Sequence, residues 1–182
     1  AVDVNAILGT TFQSTASAIN ANDLTSQNNT IVLNSFITGA YDPNMKEVSD
    51  AAIFPDFVMN NEYLEYTIHF QNTGNDTAFT VLLIDTLSNY IDLSSFEIIS
   101  SSHPVIVNNY EGVFWFRFNH INLPDSTTNE IASHGYVKYR VRLKGTITVG
   151  ITIKNTAYIY FDFNEAIVTN TASTFFSTLG AT

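Results

Sequence analysis

The chain has 182 residues, 45% hydrophobic and 13% aromatic, with no cysteine and a formal net charge of −10. It has enough apolar material for a full core, it has no disulfide, thiolate metal site or cysteine nucleophile, and it lacks the clustered Lys and Arg that neutralise nucleic-acid phosphate. Only 13% of residues are charged; Asn, Ser and Thr fill the surface instead, which suits an extracellular β-protein.

In chain order, residues 1–38 differ in style from the rest. Residues 6–8 and 31–33 are short apolar runs set in Asn-, Ser- and Thr-rich sequence, and residues 16–24 carry a faint helical pattern. No apolar run approaches the roughly 20 residues of a membrane span. Ala1-Val2-Asp3-Val4 has no basic flank or signal core, so an export signal is expected upstream or already removed. The turn cluster at 39–46 around Pro43 is the expected boundary. Residues 52–58 predict a short strand that Pro55 confines to an edge.

Residues 62–72 and 78–85 form the clearest pair of strands. Leu64, Tyr66, Ile68 and Phe70 alternate with Glu65, Thr67, His69 and Gln71, the period of a half-buried strand. The intervening Asn72-Thr73-Gly74-Asn75-Asp76 tolerates a turn. Strands are also expected at 96–100 and at 113–118, where Phe114, Phe116 and Phe118 share a face. At 136–144, Val137, Tyr139, Val141 and Leu143 oppose Lys138, Arg140, Arg142 and Lys144. Ala157, Ile159, Phe161 and Phe163 form another inward row, and a last strand is expected to hold Ile167-Val168 and Phe175-Phe176. Some eight or nine strands with no long helical period predict an all-β antiparallel sandwich of Ig-like type, preceded by an N-terminal strand-containing extension. Its core would include Tyr66, Phe70, Phe114, Phe116, Tyr139, Phe161 and Phe163.

Four ordered segments resemble a domain of secreted Bacteroidetes surface proteins that commonly precedes a type IX secretion sorting domain. The run from Tyr66-Thr67-Ile68 through Asn72-Thr73-Gly74 to Asp85-Thr86-Leu87 is similar to its Ig-like repeat pattern. The segment Asp42-Pro43-Asn44-Met45-Lys46 resembles its DPNDK opening. Leu123-Pro124-Asp125-Ser126, with Ser133-His134-Gly135-Tyr136-Val137, and Ile159-Tyr160-Phe161-Asp162-Phe163-Asn164 complete the likeness. Met45 stands where that family usually has Asp, and Ala166 where it usually has Pro. The resemblance covers roughly 39–176. It implies that 39–176 is the sandwich, 177–182 the start of a linker, and 1–38 the closing strands of an upstream module or an assembly strand.

No catalytic motif occurs: there is no Gly-x-Ser-x-Gly, no His-Glu-x-x-His and no phosphate-binding glycine loop. His69, His103, His120 and His134 are scattered, and Glu62 and Glu65 fall on opposite faces of one strand. The expectation is therefore no enzyme. Asp42, Asn44, Glu47 and Asp50 are oxygen-rich residues at a turn and candidates for calcium, to which Asp85, Asp162 and Asn164 would add from strand ends. The bland alternative is a turn capped around Pro43. The basic row at 138–144 offers a stripe for acidic glycans or, more simply, partners for acids such as Glu62 or Glu65 on a neighbouring strand. Thr77, Thr86 and Ser126 lie in Asp-Ser/Thr patterns that resemble O-glycan acceptors of Bacteroidetes, and Asn28 and Asn75 fit the N-linked acceptor pattern. Lys154 and Asn155 have the side chains of a lysine–asparagine cross-link, but adjacent strand residues face apart.

Together these features predict a non-catalytic structural or adhesive module, extracellular and type IX-exported. Its partners would be neighbouring domains, identical subunits or surface glycans, with neither nucleic acid nor membrane insertion. One alternative is a filament subunit in which 30–37 completes a neighbour's sheet. Another is a carbohydrate-binding accessory module using Trp115, Tyr158 and Tyr160 for stacking.

Overall fold

A computed structural model describes residues 11–17, 30–36 and 42–178. The chain divides into two compact units, Ala1–Asp42 and Pro43–Thr182. In the first, β1 (Thr11–Ser17) and β2 (Thr30–Phe36) form an antiparallel two-stranded sheet with Thr11 opposite Phe36 and Ser17 opposite Thr30. Of the faint helical pattern at 16–24, Ala16 and Ser17 lie in strand β1 and not in a helix, and 18–24 fall outside the described residues.

The second unit is a sandwich, the all-β, Ig-like antiparallel architecture that the alternation predicts. One layer is a four-stranded sheet in the order β3 (Lys46–Val48), β5 (Tyr63–Gln71), β10 (His134–Leu143), β7 (Ile91–Ser101). The facing layer has five strands, β13 (Ile167–Val168), β12 (Ala157–Phe161), β6 (Ala78–Thr86), β9 (Val113–Leu123) and β8 (Ile106–Tyr110). A three-stranded sheet of β11 (Thr152–Asn155), β14 (Ala172–Phe176) and β4 (Ala52–Ile53) adds to one side; its β14–β4 pairing is parallel. The strands at 63–71 and 78–86 are thus consecutive in sequence but belong to opposite layers.

Strict alternation drives the packing. Leu64, Tyr66, Ile68 and Phe70 of β5 are buried, as are Val137, Tyr139 and Val141 of β10 and Phe114, Phe116 and Phe118 of β9. Rings interlock across the layers: Phe70 lies 5.2 Å from Phe118 and Phe116 lies 5.6 Å from Tyr139, centroid to centroid. Each such pair adds about 0.5–1.5 kcal/mol beyond simple area burial.

Three expectations need correction. The segment 52–58 is not one strand: β4 stops at Ile53, and Pro55 opens a single helical turn, α1 (Pro55–Met59), because its fixed φ suits the first helical position. Phe163 is not in the core but fully exposed. β12 ends at Phe161, and Asp162 takes a positive φ of 51°, which breaks the alternation just before Phe163. Finally, Ile167-Val168 and Phe175-Phe176 belong to β13 and β14, strands of different sheets.

Candidate functional site

The core alternation is interrupted by charge at one place. Val81, Leu83 and Asp85 follow one another at inward positions of β6, and Ile153, Asn155 and Ala157 do so at the junction of β11 and β12. Lys46 opens β3 with its side chain turned inward. Period-2 geometry thus delivers a lysine, an aspartate and an asparagine into the apolar interior. Lys46 is 1% exposed, Asp85 0% and Asn155 2%.

The three converge on Tyr139. Lys46 Nζ donates to Asp85 Oδ2 in a fully buried ion pair and to the Tyr139 hydroxyl at 3.1 Å. Tyr139 donates to the same Asp85 Oδ2 at 2.6 Å. Asn155 Nδ2 donates to the Tyr139 hydroxyl at 3.1 Å. The amine also sits 5.1 Å from the centre of the Tyr66 ring and 5.5 Å from that of Tyr139, an arrangement that favours a cation. The four residues come from β3, β6, β10 and β11, so the cluster spans all three sheets of the unit.

Its electrostatics are costly. Burial pulls the Lys46 amine down to about 8, against the opposing attraction of Asp85. Burial and the Asp85 charge push the Tyr66 and Tyr139 phenols well above their ordinary range. Asp85 Oδ1, Asn155 Oδ1 and the Tyr66 hydroxyl have no hydrogen-bond partner; each such orphan costs about 1–3 kcal/mol. Removing one partner of a buried pair typically costs about 3–5 kcal/mol, yet an apolar replacement of the whole set is often neutral. A cluster this expensive is weakly justified by stability alone.

Of the candidate site residues singled out in the sequence, Asp85 and Asn155 lie in this cluster and the others lie elsewhere. Asn44 is buried and its Oδ1 accepts from the Gln71 amide at 3.1 Å. Glu47 faces His69 at 3.1 Å, and Asp50 accepts from the Ser49 hydroxyl at 2.6 Å. Among the described residues no group of three or more acidic and histidine side chains is placed to hold a metal, so Asp42, Glu47 and Asp50 are not gathered into one site. Asp162 instead accepts from the Phe79 and Thr80 amides at 3.0 and 2.7 Å, and Asp85 is locked in the core cluster.

Half of the basic row is paired with acids on neighbouring strands, as the simpler alternative expects: Lys138 lies 2.5 Å from Glu65 and Arg140 2.6 Å from Glu97, whereas Lys144 donates to the Asn89 carbonyl at 2.8 Å. Glu62 instead accepts from Asn60. Arg140 and Arg142 both pack over the Tyr63 ring at 4.2 Å. Thr86 is exposed, whereas Thr77 and Ser126 are half-buried. Trp115 and Tyr158 flank Ile84 in one cross-strand row of the five-stranded sheet, where Tyr158 is exposed and Trp115 half-buried. Lys154 is exposed while Asn155 is buried, so those neighbours do face apart.

The family model described as "Domain of unknown function (DUF7619)" matches residues 42–175. No curated protein matches the sequence. Among solved structures, the fold is similar to that of the major pilin subunit BcpA of Bacillus cereus, at TM-score 0.50 and 16% identity over 72% of this chain and 39% of that one. It is also similar to the Enterococcus faecalis MSCRAMM ACE, whose structure is described as binding ligands by a collagen hug, at TM-score 0.50 and 12% identity over 95% of this chain and 62% of that one. A third match is to domains D2 and D3 of the major pilin SpaD from Corynebacterium diphtheriae, at TM-score 0.49 and 14% identity over 71% of this chain and 50% of that one. The chain therefore spans half or less of the pilin structures it matches.

Proposed function

The chain belongs to the DUF7619 family of domains of unknown function, and on that footing we propose that it is a non-catalytic structural or adhesive module of a secreted bacterial surface protein. The observation that carries this reading is the sandwich of residues 43–178, whose interior is filled by interlocked rings and whose one cluster of reactive side chains is sealed from solvent. A substrate has no approach to Lys46, Asp85 or Asn155 in that state. The fold shared with a pilin and a collagen-binding adhesin supports a role in display or attachment. The sequence resemblance supports a Bacteroidetes source and type IX export.

Localisation tests it. Antibodies raised against the domain are expected to label intact, unpermeabilised cells of the source organism, and the signal should vanish after protease shaving. Labelling only after permeabilisation would refute an extracellular role.

One observation favours a second reading, in which the N-terminal unit mediates assembly. Among the described residues β1 and β2 form a two-stranded sheet, with the side chains of residues 13–17 exposed. A two-stranded hairpin alone is marginal in water, and an edge strand is a template for strand addition. Electron microscopy of the full chain should then show fibres that disappear on deleting residues 1–38; monomers in both preparations would discard this reading.

A further inference from the structure

We propose that Lys46 and Asn155 become joined, side chain to side chain, by a self-catalysed amide bond, with Asp85 as the proton shuttle. This inference is independent of the surface-module reading, since it concerns only chemistry inside the sandwich.

The nucleophile, the acyl group and the proton carrier are already assembled. Lys46 Nζ contacts Asp85 Oδ2 directly. Lys46 Nζ and Asn155 Nδ2 each lie 3.1 Å from one oxygen, the Tyr139 hydroxyl, so they are separated by at most twice that distance. The flexible lysine stem can supply the remaining approach to Asn155 Cγ. Burial favours the uncharged amine, the form that attacks a carbonyl. The surrounding rings of Tyr66 and Tyr139 exclude water, so hydrolysis of the amide does not compete. Holding both groups in one cavity replaces a bimolecular encounter with an internal one, an effect that reaches effective molarities of about 10⁵–10⁸ M in well-oriented systems.

The step balances without any added reagent. The Lys46 ammonium passes one proton to Asp85, and the free amine attacks Asn155 Cγ. A second amine proton leaves through Asp85 while the carboxyl proton goes to Nδ2. The Nζ–Cγ bond forms, the Cγ–Nδ2 bond breaks and ammonia departs. Nothing is oxidised or reduced. Asp85 ends as a neutral carboxylic acid. It then has a proton to donate, and Asn155 Oδ1 is an acceptor that at present receives none. Both Asp85 Oδ1 and Asn155 Oδ1 are buried without a partner before the step, and the proton Asp85 gains is one that such an acceptor can take.

The simpler reading is a buried ion pair that only anchors β3. Intact-mass measurement of the denatured full chain separates the two. The cross-linked protein is expected to weigh about 17 Da less than its sequence, the mass of the ammonia lost when a lysine amine displaces an amide nitrogen. Trypsin should fail to cut after Lys46 and should release the Lys46 and Asn155 peptides as one species. Asp85→Asn and Lys46→Arg should each restore the full sequence mass, with circular dichroism reporting whether each variant keeps its β-fold. A wild-type chain at its full sequence mass overturns the proposal whatever the variants do. So does a mass loss that survives in Lys46→Arg, which would mark a cyclised asparagine instead. A loss that survives in Asp85→Asn would remove Asp85 from the shuttle role.

Discussion

Strand β10 carries two kinds of polar contact on its two faces. Outward, Lys138 and Arg140 meet Glu65 and Glu97 in water. Inward, Tyr139 collects Lys46, Asp85 and Asn155 in a dry core. The residues are one position apart, yet the energetics differ in kind. An exposed pair is screened and its charges stay hydrated with or without a partner. An inward charge depends on its partner, because no solvent replaces it. The lesson is that the phase of a residue in the strand period sets what its charge is worth.

The sharpest way to break this contrast is Asp85→Ala. It strands the Lys46 amine in the core, and urea unfolding should show a loss of about 3–5 kcal/mol. Gly135→Ala tests the same inner face without charge. A Cβ there would overlap Cε2 and Cζ of Phe70, and overpacking of this kind costs about 1–3 kcal/mol; thermal unfolding should register the drop. Tyr139→Phe keeps the ring but removes the hydroxyl that donates to Asp85 Oδ2 at 2.6 Å, so a loss of about 1–3 kcal/mol is expected by the same urea assay.

Alkaline titration sharpens the contrast further. The raised Tyr66 and Tyr139 phenols keep their protons in the folded state, whereas unfolded phenols release theirs near pH 10. Their contribution to stability is fully present below pH 10 and declines as pH rises above it. A free Lys46 amine acts in the opposite sense between about 8 and 10.5, so the decline is best followed above 10.5. Ultraviolet absorbance should show that two of the nine tyrosines ionise only with unfolding. The smallest effect belongs to the outer face: Lys138→Ala should cost below about 1 kcal/mol and its cost should fade in high salt.

The sandwich was legible because alternation is a local property. Val137, Tyr139 and Val141 announce their face without reference to any partner, and they are buried. Phe163 misled because one positive φ at Asp162 flipped the phase, and nothing in the hydrophobic pattern encodes that. The core cluster was half legible. Asp85 sits in register with Val81 and Leu83, and Asn155 with Ala157 and Ile159, so a polar residue in the apolar phase was the signal. What linear order hid is that Lys46, at the start of β3 and distant in sequence from both, meets them in the core. The adjacent Lys154 is exposed and gives no hint of it, because lysine and asparagine meet here through tertiary packing and not through sequence proximity.

Asn170 has a consequence for traffic at the rim of the sandwich. Its Oδ1 accepts from the Lys46 amide at 2.8 Å and its Nδ2 donates to the Lys46 carbonyl at 2.9 Å. One side chain thus imitates the peptide group of an incoming strand along the border strand β3, and that docking slot is occupied from within. An added strand would have to displace this side chain before it could pair with Lys46, so Asn170→Ala would uncover one pair of backbone groups on that border.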